Sequence, residues 1–396
     1  MTAEGDATSA PAADPFLHDY FARFSPPPRD PAAPLRLAFL VGSLDISGGT
    51  YVILQHALYA RHHGADVTLL VQFRSDGESL RWHPALSELR IVHFDELADG
   101  VGDDLEFDVA IATFWRTVCE LPHVRSRHYA YLVQSIESRF YGGTDEQDVV
   151  PIVELTYTFD LPVITIARWM QAYLAFRHER PGFLVRNGVR KDVYSPVGPK
   201  ADPNPEQPFR VLIEGAVDVP MKNIAASVRV ARRAGADEVW LLTPSDVQSV
   251  PGVDRVFSRI AIGETAVVYR SCPVLLKLSL VEGMYGPPLE MFHCGGTVVT
   301  NDVTGHDEYV RDRENGLVVP MHDDDAATNA LARLKHDPAL LARLRAGALQ
   351  TARAWPDWDR SSEDFLQVVR LVARQPARDH VATLLAIRGA ALDLSG

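Results

Sequence analysis

Apolar residues along this chain alternate between two rhythms. Short unbroken apolar runs, "LRLAFLVGSL", "ADVTLLVQF", "DVAIATF", "HYAYLVQS" and "PVITIA", are separated by stretches whose apolar positions recur at helical spacing, "YVILQHALYARHHG" and "RWMQAYLAFRH". Buried parallel strands read as continuous apolar runs, whereas amphipathic helices repeat with a period near 3.6 residues. Strand, helix, strand is the βαβ unit of a parallel sheet. After "GFLVRNGV" the rhythm restarts. "FRVLIEGAV", "EVWLLTP", "PVLLKLSL", "GTVVTND" and "GLVVP" predict strands, and "NIAASVRVARRAG" and "PPLEMFHCG" predict helices. Beyond Pro320 the pattern is helical only, through "DAATNALARLKHD", "PALLARLRAGALQTARA" and "WDRSSEDFLQVVRLVARQ".

This pattern predicts an α/β chain of two Rossmann-like halves. The expected boundaries are a disordered leader at 1–34, a first domain at 35–190, a second at 191–353 and terminal helices at 354–396. The leader is rich in Ala, Pro and Asp, with one short helix expected around "FLHDYFARF". The Pro-rich "DVYSPVGPKADPNPEQP" marks the joint, expected near 188–205. Composition narrows the picture further. A formal charge of −13 argues against a nucleic-acid partner, since phosphate contacts need concentrated Lys and Arg. No apolar run approaches the ~20 residues of a membrane span. Cys119, Cys272 and Cys294 have no metal-like or paired spacing, and the acidic start is no signal peptide, so the expected compartment is the cytoplasm. Peripheral contact with a membrane surface stays open.

Three stretches carry candidate chemistry. In "GSLDISGGTYVI", Gly48 and Gly49 lie between a strand and a helix, where small residues let a ligand approach the backbone and the helix N-terminus offers free N–H groups. It is not G-x-G-x-x-G, and Gln72 stands where a dinucleotide site would place an acid. In "FRVLIEGAVDVPMKN", Lys222 follows a strand and opens a helix, well placed to neutralise a diphosphate. Lysine is scarce here, occurring only at 191, 200, 222, 277 and 335. The third stretch is "EGMYGPPLE". Glu282 follows a strand at its carboxyl end, Gly283 and Gly286 free the backbone, Pro287 and Pro288 suit a helix start, and Glu290 falls in the first turn. Two carboxylates can thus face one cavity, as acceptors for the vicinal hydroxyls of a sugar or ribose. Thr304 and Gly305 in "TGHDEY" open a second loop-to-helix start. Gln134, Glu137 and Tyr141 in "YLVQSIESRFYGG" are candidates for a cleft between the halves. "DGVGDD" and "HDDDA" read as solvated turns, and no metal site is expected.

The 282–290 run resembles the Glu-x7-Glu motif of retaining glycosyltransferases of family four, which have the GT-B fold. Glu282, Gly283, Pro287, Leu289 and Glu290 match that motif, and Gly305 with Glu308 match its later element. "VRNGVRKDVYSP" resembles the family's hinge, and the likeness spans about residues 36–370. It implies two Rossmann-like domains whose parallel sheets face across a cleft, with the last helix crossing back to the first domain around Trp355 and Trp358. It also implies that Glu282 contacts sugar hydroxyls of the donor, Glu290 the nucleotide ribose, and Lys222 the diphosphate. The backbone at Gly286, Thr304 and Gly305 would assist, with Gly48 and Gly49 on the phosphate or acceptor side. The family's diphosphate arginine is missing from "EGAVDVPMK"; Lys277, Arg186 or Arg190 could supply its charge. Tyr285 replaces a usual glycine and Gly286 a usual leucine, a variant similar to some bacterial rhamnosyl and deoxysugar transferases.

The expected function is therefore transfer of a hexose from a nucleoside-diphosphate sugar, with retention, to a sugar, a lipid-linked glycan or a natural-product acceptor. No cofactor is expected beyond the donor substrate itself. Two alternatives are a nucleotide-sugar epimerase of the same fold and a catalytically idle sugar-nucleotide-binding subunit.

Overall fold

The computed structural model describes residues 30, 32–75, 82–98, 105–203, 208–376 and 380–392. The expected leader helix and "DGVGDD" lie outside them. The first half is a seven-stranded sheet built from β1 (Arg36–Val41), β2 (Asp66–Val71), β3 (Arg90–His93), β4 (Phe107–Ala112), β5 (Ser126–Val133), β6 (Val163–Thr165) and β7 (Phe183–Leu184). The second is six-stranded: β8 (Arg210–Glu214), β9 (Glu238–Thr243), β10 (Arg255–Ser258), β11 (Val274–Lys277), β12 (Thr297–Asn301) and β13 (Gly316–Val319). The strand orders are β3-β2-β1-β4-β5-β6-β7 and β10-β9-β8-β11-β12-β13, and every pairing is parallel. Both orders reverse direction once, between β1 and β4 and between β8 and β11. Ligands of open α/β sheets bind at such points, outside the carboxyl ends of the strands.

The apolar runs become central strands because they are covered on both faces. All six residues of β4 are buried. β3 and β10 lie at sheet edges and are mostly part-exposed, so neither carries the apolar run that predicts a strand, and both escape the pattern. The helix Val381–Leu392 falls within the terminal helices expected at 354–396, and it packs against Trp115–Cys119 and Leu121–His123 of the first half. Helix starts follow local chemistry. The side chains of Ser47, Asp323, Asp337 and Asp357 each accept a hydrogen bond from a first-turn N–H, a cap that contributes about 1 kcal/mol. Asp323 thus accounts for part of the acidic run "HDDDA" as a helix cap. "TGHDEY" opens only one tight turn, His306–Glu308, rather than a full helix.

The chain crosses between the halves twice, and the crossings touch. Val189 bridges to Asp357, and its N–H donates to the Pro356 carbonyl at 3.2 Å. Trp355 Nε1 donates to the Asn187 carbonyl at 2.8 Å, and Lys191 Nζ to the Arg353 carbonyl at 3.1 Å. Helix Trp358–Arg374 then lies on the first half: Phe365 stacks on Phe39 and on His56, whose Nδ1 lies 3.0 Å from Ser362 Oγ. Burial pulls the His56 pKa down to about 3, so the imidazole is neutral in this contact. The Pro-rich joint is not a free tether. Tyr194 is buried with its hydroxyl 2.9 Å from Thr265 Oγ1, and Arg270 donates to the carbonyls of Ser195 and Pro199. Residues 194–199 therefore travel with the second half, and the flexible point narrows to the crossing itself.

Gly188 is where the two crossings come closest: a Cβ there would meet the backbone of Asp357 and Trp358 at 2.5 Å. Gly188→Ala should destabilise the protein by roughly 1–3 kcal/mol, as overpacking does, and lower the unfolding midpoint in urea. An unchanged midpoint would show that the crossing gives way freely.

Candidate functional site

The second half gathers charge at its reversal point. Glu214 ends β8 and Lys277 ends the neighbouring β11. Lys277 is 2 % exposed, and its Nζ donates to the Glu214 carboxylate at 2.6 Å and to the Glu214 carbonyl at 3.0 Å. Glu282, on the loop beyond β11, is also buried, with Oε1 2.8 Å from Lys222 Nζ and 3.7 Å from Lys277 Nζ. Two lysines and two glutamates thus form one charge-balanced cluster. Burial opposes ionisation of Glu282, but the attraction of Lys222 and then of Lys277 outweighs it and holds the carboxyl below its ordinary range. The Lys222 ammonium is favoured in turn: burial lowers its pKa, but Glu282 and Glu214 raise it by more.

Local backbone chemistry fixes Lys222. It ends the turn Pro220–Lys222, and Asn223 follows with φ of 53°, in the left-handed region where Asn is tolerated. Asn223 Nδ2 donates to the Leu278 carbonyl at 3.1 Å, and Leu280 N–H to the Met221 carbonyl at 2.8 Å. The turn is thereby tied to the exit of β11. Gly215, with φ of 144°, lets the Lys222 stem pass close above it.

Glu290 lies in the first turn of helix Pro287–His293 and is half-buried. Burial pushes its pKa up to about 7; Tyr269 and Tyr194 hydrogen-bond the carboxylate and oppose the rise, while the Glu214 charge adds to it. Tyr51, from helix Gly48–His62, is near enough to feel Glu290: burial, followed by the Glu290 charge, raises its pKa. Gly286 would, with any side chain, bring a Cβ within 3.7 Å of Glu290 Oε1.

The first half meets this cluster along its own reversal point. Ser47 caps the helix that begins at Gly48, and a Cβ on Gly49 would lie 3.6 Å from Gln134 Nε2. The Gln134 carbonyl in turn abuts Gly283, where a Cβ would sit 2.0 Å from it. Gln134 therefore links the glycine turn to the Glu282 loop. Trp169 Nε1 donates to the Gly283 carbonyl at 2.7 Å, and Arg139 to Thr304 Oγ1 at 3.0 Å. Gly305, with φ of 88°, is forced to be glycine because a Cβ would come 2.1 Å from that same Gly283 carbonyl. Glu308 is buried and accepts from Arg168 N–H at 2.6 Å, at the start of helix Arg168–His178.

The structure brings Lys222, Lys277, Glu282, Glu290, Gly286, Thr304, Gly305, Gly49 and Gln134 to one junction between the halves, and it corrects two expectations. Glu137 does not face the cleft: it is buried in the first half, where its carboxylate accepts from Trp115 N–H at 2.8 Å and from Tyr131 at 3.1 Å. Burial pushes its pKa up to about 8. Tyr285 does not shape a donor pocket, because its buried ring points inward with the hydroxyl 2.9 Å from Thr300 Oγ1. Arg190 lies against Tyr51, the residue that also feels Glu290. It pairs with Asp192 at 2.5 Å, and Arg186 approaches Glu308 at 3.8 Å and Trp355 at 5.6 Å. Glu214, Tyr51, Arg139 and Trp169 carry no motif and escape sequence reasoning; the acid ending an otherwise apolar strand was the one visible signal, at Glu214.

Comparison with known proteins extends the picture. Residues 255–351, which include the 282–290 run, match the family model described as Glycosyl transferases group 1. The D-inositol 3-phosphate glycosyltransferase of Streptomyces bingchenggensis is 35 % identical over 99 residues, 25 % of this chain and 22 % of that protein. The chain thus spans about a fifth of such a relative's length. Among solved structures, sucrose-phosphate synthase of Thermosynechococcus elongatus superposes with a TM-score of 0.69 at 19 % identity, covering 85 % of this chain and 98 % of the other. HepE of Anabaena in complex with UDP and glucose gives 0.69 at 14 % identity, covering 85 % and 100 %. The fold is the GT-B arrangement that the resemblance implies.

The raised Glu290 pKa has a consequence for stability. The folded state holds this proton more tightly than the unfolded chain does, so its contribution is full below about pH 4.3 and is lost as pH rises through about 7. Glu290→Gln should therefore flatten the pH dependence of unfolding between those values, by a few kcal/mol at most. Parallel curves for the two proteins would refute the shift.

Proposed function

We propose that this protein is a glycosyltransferase that moves a hexose, of the deoxysugar type such as rhamnose, from a nucleoside-diphosphate donor to a hydroxyl acceptor with retention of configuration. The observation that carries this reading is the Lys222–Glu282 pair at the reversal point of the second sheet, opposite the glycine turn of the first. A lysine at a strand's carboxyl end beside a helix N-terminus suits a departing diphosphate, and a fixed carboxylate suits sugar hydroxyls.

In this reading Lys222 and the N-terminus of helix Ile224–Arg233 stabilise the charge that develops as the anomeric carbon–oxygen bond breaks. The acceptor oxygen bonds to that carbon, and its proton passes to the leaving phosphate oxygen, so no separate protein base is needed. Glu282 orients the sugar, and Glu290 receives the ribose hydroxyls. Gly48 and Gly49 admit the phosphate or the acceptor, which is a sugar, a lipid-linked glycan or a natural-product hydroxyl. Among the described residues no helix is long and apolar enough to cross a membrane. Because no arginine joins the Lys222 turn among the described ion pairs, a second reading is a subunit that binds the sugar nucleotide without turning it over.

Thermal unfolding with UDP, GDP, ADP and dTDP tests binding. UDP comes first, because HepE holds it. A ligand at 100 times its dissociation constant adds ~2.7 kcal/mol, so one diphosphate should raise the midpoint visibly, and Lys222→Ala and Glu290→Ala should abolish the rise. No rise with any diphosphate overturns the reading. With the matching donor, Glu282→Ala should lower turnover by about a hundredfold or more; equal turnover would remove Glu282 from the reaction, and binding without turnover would favour the idle subunit.

A further inference from the structure

The Lys222 amine has two demands on it. In the ligand-free protein it neutralises a buried carboxylate, and in the reaction proposed above it must meet a diphosphate. Its side chain is 30 % exposed, whereas that of Lys277 is 2 % exposed and enclosed. Only Lys222 is therefore placed to reach a ligand. If it left Glu282 with nothing behind, a carboxylate would remain buried without a counter-ion beside an incoming dianion. That arrangement is strongly unfavourable, and the carboxyl would take up a proton instead.

Lys277 stands where it prevents this. It is the last residue of β11, and three oxygens surround its ammonium: the Glu214 carboxylate at 2.6 Å, the Glu214 carbonyl at 3.0 Å and Glu282 Oε1 at 3.7 Å. The Glu214 carbonyl and carboxylate pin the amine from the β8 side, so that it does not follow Lys222 outward. The other groups that face Glu282 are Lys222 from the turn after β8, the Ser279 hydroxyl and the phenols of Tyr285 and Tyr309, with Glu290 beyond them on helix Pro287–His293.

We propose that Lys277 and Glu214 are positioning residues: a fixed, buried counter-ion pair that keeps Glu282 charged and in place when Lys222 transfers to the phosphates of the donor. Lys222 is then an exchangeable partner of Glu282 and Lys277 the permanent one. Glu214 serves to hold Lys277 in the sheet. This inference rests on the diphosphate role of Lys222, but its first test does not.

The test reads Glu282 itself. The side-chain carboxyl carbon of glutamate is labelled with carbon-13, the Glu282 resonance is assigned by its loss in Glu282→Gln, and its shift is followed against pH by NMR. Lys222→Met imitates departure of the exchangeable lysine without any ligand. Glu214→Gln accompanies every Lys277→Met so that the Glu214 carboxylate is not left unpaired. In Lys222→Met, Glu282 should stay ionised through the ordinary carboxylate range. In Lys222→Met with Lys277→Met and Glu214→Gln, its midpoint should rise by at least about one unit, a tenfold tighter grip on the proton. A purely structural part for the buried pair would change thermal stability without moving this midpoint. An unmoved midpoint in the triple variant overturns the proposal, as does a large rise already present in Lys222→Met alone.

A second arm uses inorganic pyrophosphate as the probe. In the otherwise native protein Glu282 should remain ionised when pyrophosphate binds; with Lys277→Met and Glu214→Gln it should take up a proton on binding. Glu282 resonances that ignore pyrophosphate would count against the diphosphate site of the proposed function, and the ligand-free comparison would still decide the part of Lys277.

Discussion

A carboxylate beneath a loop stays charged only if something positive stays with it. Glu282 is buried at the meeting point of the two halves, and the geometry around it follows from that requirement. Lys222 is delivered by a turn tied to the exit of β11, and Lys277 by the last position of β11 itself. Glu214, across from it on β8, completes the balance. Neither Glu282 nor Lys277 would be tolerable alone at that depth. Together they make a floor whose charges cancel.

The first half is fitted to this floor by absence of side chains as much as by contact. Gly283 and Gly305 allow the Glu282 loop to press against Gln134 and against Trp169, and a methyl group at either would collide with a backbone oxygen. Hydrogen bonds from Trp169, Arg139 and the Arg168 N–H then fasten the loop from the first-half side. These glycines bring the halves together beside the Glu282 cluster.

Most of the fold was legible in the chain because its central strands are covered on both faces and therefore write continuous apolar runs. β3 and β10 were not legible, since an edge strand needs no such run. The site was legible where glycines and prolines surround a charge, at 282–290, and where a scarce lysine follows a strand. It was illegible where two residues make sense only as neighbours. Glu214 and Lys277 stand 63 positions apart, and nothing local in either segment announces the other. Glu137 and Tyr285 show the converse: their sequence surroundings suggested a ligand, but each side chain is used inward, to satisfy buried polar groups.

The double crossing at Gly188 and Asp357 also orders events in time. Phe39 lies on β1, yet it stacks on Phe365, which follows the whole second half in sequence. The ribosome releases residues from the N-terminus onward, and domains ordinarily fold as they appear. Here the first domain cannot close its core on emergence. It must wait, with the face under helix Trp358–Arg374 uncovered, while the whole second half is made. A chain cut short before residue 358 would lack the cover that Phe365 gives Phe39 and His56.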